Sequence, residues 1–379
     1  MNKKEISEIK KQFTESRCSI SKICGCYVDS EKKIKTTFSQ PFLTLDTEEM
    51  FKYFELLRKS LSGTIGKNLT TLDFPTESES SGGTQEFLLR LRNSGLNDED
   101  LTQEYFDRII SSYDYVGNYL ILLIHDTYDV PGKTTDGLMM EDASDSVYEY
   151  ILTVICPVNL SKPGLSYDAV DNIFVNRIRD WVVEMPESAI LFPSFDDRMA
   201  NIHSLLYYSK DSNDMHDAFI EEILNCPVPM TQASQKQAFN TIIEETIGDS
   251  CDLELMKSIH DHLTQMNEES KEQNEILTFD KEEIKQLLID SGAEDGLFEM
   301  YDQTFEAIAD PKSVVYASNI TNARSFQVKT PSVVVKVDPM RTDLIETRII
   351  DGRECLVIAL DGDVEVNGVT ISPASSVEQ

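Results

Sequence analysis

The run LILLIHDTYDVPGKTTDG, residues 120–137, gathers residue types that reactions use. Gly132-Lys133-Thr134 behind an apolar strand is how a phosphate-binding loop ends, with the amide N–H groups of a following helix holding the phosphates. That loop needs a glycine five residues before Gly132, where this chain has Thr127. Asp136, Glu141 and Asp142 follow where the helix N-terminus would open, and carboxylates there repel phosphate. Glycine and proline here are turn residues between two strands. His125 and Asp126, with Asp129 further along, form the other candidate in this run, because histidine titrates near neutrality and a carboxylate can orient it. Successive strand residues point to opposite faces, so His125 and Asp126 are not expected to pair directly.

The remaining chemistry-bearing residues are scattered. Cys24 and Cys26 share one strand face, and with Cys18 they offer three soft ligands, but no Cys-x-x-Cys pair exists and no histidine lies nearby. Buried structural thiols are the expectation, with a redox role left open. His260 and His262 are two residues apart in a helical pattern and diverge, whereas a shared metal asks for a spacing of four. Arg177, Arg179 and Trp181 share strand parity; a packed tryptophan under arginine stems is expected, and a stacking surface is the alternative. Serine-elbow and dinucleotide-binding motifs are absent, so neither a cofactor nor a metal is expected.

The elements that must position these residues are easier to read. Ile6, Ile9 and Phe13 give the first helix one apolar stripe. Two alternating runs around Asp29-Ser30-Glu31-Lys32 predict a hairpin, and Asp46 with Glu49 predicts a helix start. Polar residues 75–83 look like a linker, and residues 118–160 supply two strong strands. From Asn213 the period turns helical, and residues 267–275 lack apolar side chains. Asp351-Gly352 and Asn367-Gly368 mark late hairpins. The fold class is α+β, with a central, mostly antiparallel sheet, a helical middle and a small strand-rich end. The expected divisions are 1–74, 84–212, 213–270 and 276–379.

Charge narrows the partners. The 379 residues hold 34 basic and 67 acidic side chains, a formal net charge of −33, which repels polyanions and anionic membranes. Basic residues concentrate in two islands, nine against five acids over 1–40 and seven against four over 311–353. If nucleic acid is bound, Lys32, Lys33, Lys35, Arg341, Arg348 and Arg353 are the phosphate contacts. No apolar run approaches the roughly 20 residues that cross a bilayer, and the N-terminus lacks the apolar stretch of a signal peptide. Seven scattered cysteines point to reduced thiols in the cytoplasm.

ICGCYVD, YDYVGNYLILLIHDTYDVPGKTTDG, CPVNLSKPGLSY and NRIRDWVVEMP resemble segments of a bacterial family described as domain of unknown function 4317. The likeness runs nearly the whole chain and implies no activity. From about Ile202 the layout is similar to that of nucleoid-associated proteins: HSLLYYSK, a helix ending FIEEILNC, TQASQKQAFNTIIEETI, and the closing FQVKTPSVVVKVDPMRTDLIETRIIDGRECLVIAL. That second resemblance implies a cytoplasmic, non-enzymatic protein in contact with nucleic acid or a nucleoid protein. The expectation is therefore a protein acting through macromolecular contacts. Two alternatives stand beside it: an enzyme centred on His125, Asp126 and Asp129, and an acidic decoy that binds a basic protein.

Overall fold

The computed structural model describes residues 1–133, 139–273, 275–311, 313–322, 325–360, 362 and 364–371. The chain divides into two compact units, residues 1–232 and 233–379.

The first unit is built on one antiparallel sheet. Helix α1 (Lys3–Lys10) starts at Asn2, whose side chain accepts from the Lys4 and Glu5 amides while Glu5 reaches back to the Asn2 amide. Strands β1 (Lys22–Val28) and β2 (Ile34–Pro41) form the predicted hairpin, with Lys32 in the left-handed region and Asp29 accepting from the Glu31 and Lys33 amides. Helix α2 (Thr47–Ser60) begins where Asp46 accepts from the Glu49 amide, as the sequence predicts. Then come β3 (Leu69–Asp73), α3 (Thr84–Asn93), α4 (Glu99–Ser112) and the long strands β4 (Asn118–Lys133) and β5 (Met139–Leu160). Short strands follow: β6 (Leu165–Asp168), β7 (Ile173–Asn176), β8 (Trp181–Val183), β9 (Ser188–Phe192), β10 (Ser194–Asp196), β11 (Met199–Asn201) and β12 (Ser204–Ser209).

The main sheet runs β2-β1-β4-β5-β9-β12-β3, with β8 paired to the end of β5. It therefore draws strands from both the 1–74 and the 84–212 segments. Alternation along β4 splits the core in two. Ile121 and Leu123 meet Leu91, Tyr105 and Ile109 of α3 and α4 in one cluster. Leu122 and Ile124 join Ile9, Phe54 and Leu57 of α1 and α2 in the other. Each such side chain, fully buried, contributes about 1.5–3 kcal/mol, so both faces of the centre of the sheet are committed to packing.

The linker-like stretch carries structure of its own. Thr76–Glu79 forms a short 3-10 turn, and the buried Ser78 hydroxyl accepts from the Asn225 side-chain amide at 2.5 Å.

The second unit holds helices Leu253–Gln273, Lys281–Asp290 and Tyr301–Ile308 and small antiparallel pairs. Ile345–Ile350 pairs with Arg353–Ile358 around Asp351-Gly352, and Val364–Val366 with Val369–Ile371 around Asn367-Gly368. All four turn residues have positive φ, the conformation those dipeptides tolerate. The polar residues 267–273 continue a helix instead of ending it. Among the described residues no helix is long and apolar enough to cross a membrane.

Candidate functional site

β4 and β5 pair antiparallel as expected, but Pro131 and Gly132 are not the turn: they are paired strand residues where the register shifts, Gly132 opposite Met140 and Lys133 opposite Met139. Thr134 to Leu138 lie outside the described residues.

The three residues of the expected polar site do not form one cluster. Pleating sends His125 and Asp126 to opposite faces, and Asp129 lies exposed four residues beyond His125, about 13 Å along the strand. Asp126 is completely buried. Its Oδ1 accepts from the Thr127 amide at 2.8 Å and lies 2.8 Å from Ser19 Oγ, whose one proton also has the Thr127 carbonyl oxygen at 2.5 Å, and its Oδ2 accepts from Tyr150 Oη at 2.6 Å. Burial pushes the Asp126 carboxyl up, and these three donors pull against it. Burial and then the Asp126 charge push the Tyr150 phenol well up, which keeps it a donor. The Tyr148 ring stacks on Tyr150 at 4.8 Å, and its own hydroxyl donates to the Pro193 carbonyl oxygen at 2.6 Å.

His125 has different company. Its Nδ1 is 2.7 Å from Ser21 Oγ, and its Nε2 is 2.9 Å from Glu149 Oε1. Register explains one meeting: His125 pairs with Ile151 of β5, which puts Glu149 diagonally beside it, while Ser21 precedes β1 and is held there by its amide donating to the His125 carbonyl oxygen at 3.0 Å. The ring is buried at 6% exposure, Glu149 is partly exposed and Ser21 is exposed. Gly95, with φ of +57°, covers the ring; a Cβ there would stand 4.0 Å from His125 Cε1. Reading the sequence alone missed Ser21 and Glu149. The signal for them is the β1–β4–β5 pairing, which a single sequence does not fix.

The basic islands are locally neutralised. Lys33 pairs with Glu31 at 2.6 Å, Lys35 with Asp29 at 2.7 Å, Arg341 with Asp343 at 3.0 Å and Arg348 with Glu346 at 2.5 Å. The Lys35 hydrogen bond holds the Asp29 carboxyl down to about 2. Lys32 Nζ lies 3.4 Å from the Ser111 carbonyl oxygen, and Arg353 is exposed opposite Ile350. One island belongs to each compact unit.

Cys24 and Cys26 both face the α3–α4 cluster, and burial pushes both thiols up, Cys26 to about 12. Such thiols stay protonated near neutral pH and behave as core atoms. His260 Nε2 lies 3.2 Å from the Pro339 carbonyl oxygen and His262 Nδ1 3.0 Å from Ser291 Oγ, so they diverge as expected. Among the described residues no three His, Cys, Asp or Glu side chains are grouped to hold a metal.

The tryptophan is a correction. Trp181 is not packed but 56% exposed, and Arg179 donates instead to the Ser161 carbonyl oxygen at 2.7 Å. It sits at the base of a ribbon, residues 165–183, in which Leu165 (74%), Phe174 (70%) and Ile178 (84%) are also exposed. The ribbon is internally ordered: β6 pairs with β7, Tyr167 donates to Asn172 Oδ1 at 2.6 Å, and β8 anchors it to β5.

No curated protein matches the chain. The model of one family, described as domain of unknown function (DUF4317), matches residues 1–369, and the chain belongs to that family.

Proposed function

We propose that the protein works through macromolecular contacts, its ribbon 165–183 meeting an apolar strip on a basic protein partner in the bacterial cytoplasm. The observation that carries this reading is the exposure of Leu165, Phe174, Ile178 and Trp181 on one ordered ribbon. Large apolar side chains gathered in exposed positions on one ordered element are costly to leave in water, and exposed apolar patches mark association sites. The net charge of −33 supplies the electrostatic preference, since it attracts a basic partner and speeds encounter with it. The reading asks no catalysis of the chain.

The nucleoid-associated version puts Lys32, Lys33, Lys35, Arg341, Arg348 and Arg353 on phosphates. Most of these side chains already have a carboxylate, which a phosphate would have to displace against the overall field. A nucleoid protein is therefore favoured over the nucleic acid itself.

Titration calorimetry with a purified histone-type protein and with a 20-base-pair duplex, both at low salt, separates the two versions. The expected result is binding to the basic protein that weakens with salt and falls at least about tenfold in a Phe174→Ser, Ile178→Ser double variant, a loss of about 1.4 kcal/mol. Duplex binding with a steep salt slope, or a double variant that binds like the parent, would overturn the reading.

A further inference from the structure

We propose that Ser21, His125 and Glu149 form a nucleophilic relay that transfers acyl groups from uncharged or cationic esters, an activity independent of the ribbon. Three separate segments deliver the groups: Ser21 leads into β1, His125 sits in β4 and Glu149 in β5. Glu149 Oε1, 2.9 Å from Nε2, favours the tautomer protonated there, which leaves Nδ1 to accept the Ser21 proton across 2.7 Å. The Ser21 hydroxyl also has the His125 carbonyl oxygen at 3.2 Å as a second acceptor, so the ring nitrogen is the nearer of its two partners. The buried ring is held by Gly95 above it and by the carboxylate beside it, while the serine oxygen belongs to an exposed residue. A base fixed in the protein and a nucleophile on a residue that solvent reaches are what the chemistry requires.

In the reaction Ser21 Oγ attacks the ester carbonyl carbon and its proton passes to His125 Nδ1. Glu149 stabilises the imidazolium. The carbon–alkoxide bond then breaks, and the same proton goes to the departing alcohol. Water repeats the sequence on the acyl-serine and restores the hydroxyl. The chain's formal net charge of −33 disfavours an anionic acyl chain, which sets the substrate class.

The test is labelling of the full chain with a neutral fluorophosphonate, whose fluoride leaves as Ser21 Oγ bonds to phosphorus, followed by peptide mass mapping. The adduct is expected on Ser21 and is absent in Ser21→Ala. Loss of a positioned base costs about 10²–10⁴-fold, so His125→Gln should slow labelling by about that factor and remove its pH dependence. Should His125→Gln not fold, Glu149→Gln, altered at a partly exposed side chain, still has to slow labelling at least about tenfold, a small part of what the positioned base supplies. p-Nitrophenyl acetate should be turned over faster than the p-nitrophenyl ester of succinic acid. No adduct, an adduct elsewhere, or labelling indifferent to both variants overturns the relay; the reverse ester preference overturns the substrate class. Ribbon variants should leave all these rates unchanged, so failure of the contact reading is seen separately.

Discussion

His125 and Asp126 are chain neighbours whose surroundings have little in common. On one face, Asp126 is completely buried and held by the Thr127 amide, Tyr150 and Ser19. On the other, His125 connects a partly exposed carboxylate to the hydroxyl of an exposed residue. Even the serines correspond: Ser19 Oγ serves the acid, and Ser21 Oγ serves the imidazole. A polar cluster with no exit to solvent can specify packing, whereas one that ends at the surface can also act on a molecule outside. Access to water, rather than the presence of titratable groups, separates the two faces.

The sealed face should show the largest effect. Asp126→Ala removes the acceptor for the Thr127 amide and Tyr150, while Ser19 keeps the Thr127 carbonyl oxygen. Each stranded buried donor costs about 1–3 kcal/mol, so the variant should lose about 2 kcal/mol or more in urea unfolding. A loss under about 1 kcal/mol, the net value of one ordinary hydrogen bond, would mean that water reaches the acid and that the two faces are alike.

The same acid gives a pH signature of unusual sign. Burial raises the folded-state pKa of Asp126 above the unfolded value, which is about 3.9. Its contribution to stability is therefore complete below that unfolded value and is lost as pH rises through the higher folded one. Asn keeps an acceptor and cannot ionise. Between pH 4 and 7 the stability of Asp126→Asn should gain on that of the parent, read as the difference between urea midpoints at each pH. A difference that moves the other way would show that the three donors outweigh burial. Asp29, held low by Lys35 on the surface, contributes with the opposite sign.

Much of the frame was readable without coordinates. Helix starts at Asp46 and the turns at Asp351-Gly352 and Asn367-Gly368 are set by chemistry within four residues, and the structure contains them. The opposite facing of His125 and Asp126 follows from strand pleating alone. What could not be read is which strands pair and in what register. Placing Ser21 and Glu149 beside His125 needs contacts 104 and 24 residues apart in the chain. The ribbon was missed for a different reason: NIFVNR and DWVV have the composition of a buried strand, and nothing local announces that they stand exposed. Segment 75–83 erred the other way, since its serines and glycines read as linker while Ser78 is held by a partner 147 residues on.

The smallest effect is the sharpest test, because it uses one substitution at two nearly adjacent positions. Ser19→Ala removes a hydroxyl held by both the buried Asp126 carboxyl and the Thr127 carbonyl oxygen and should cost about 1–1.5 kcal/mol, the upper part of the net range for a hydrogen bond. Ser21→Ala removes the hydroxyl of an exposed residue, and its partner, His125, keeps Glu149, so the cost should stay within about 0.5 kcal/mol. The pair shares chain environment and side-chain entropy, leaving solvent access and partner charge as the main differences between the positions. If Ser21→Ala proved as costly as Ser19→Ala, the imidazole would depend on that hydroxyl for packing, and Ser21 would be a structural strut instead of a group free to react. If neither mattered, the backbone pairing of Ser21 and Lys22 with His125 would hold the segment against β4 by itself, and neither serine hydroxyl would contribute to stability.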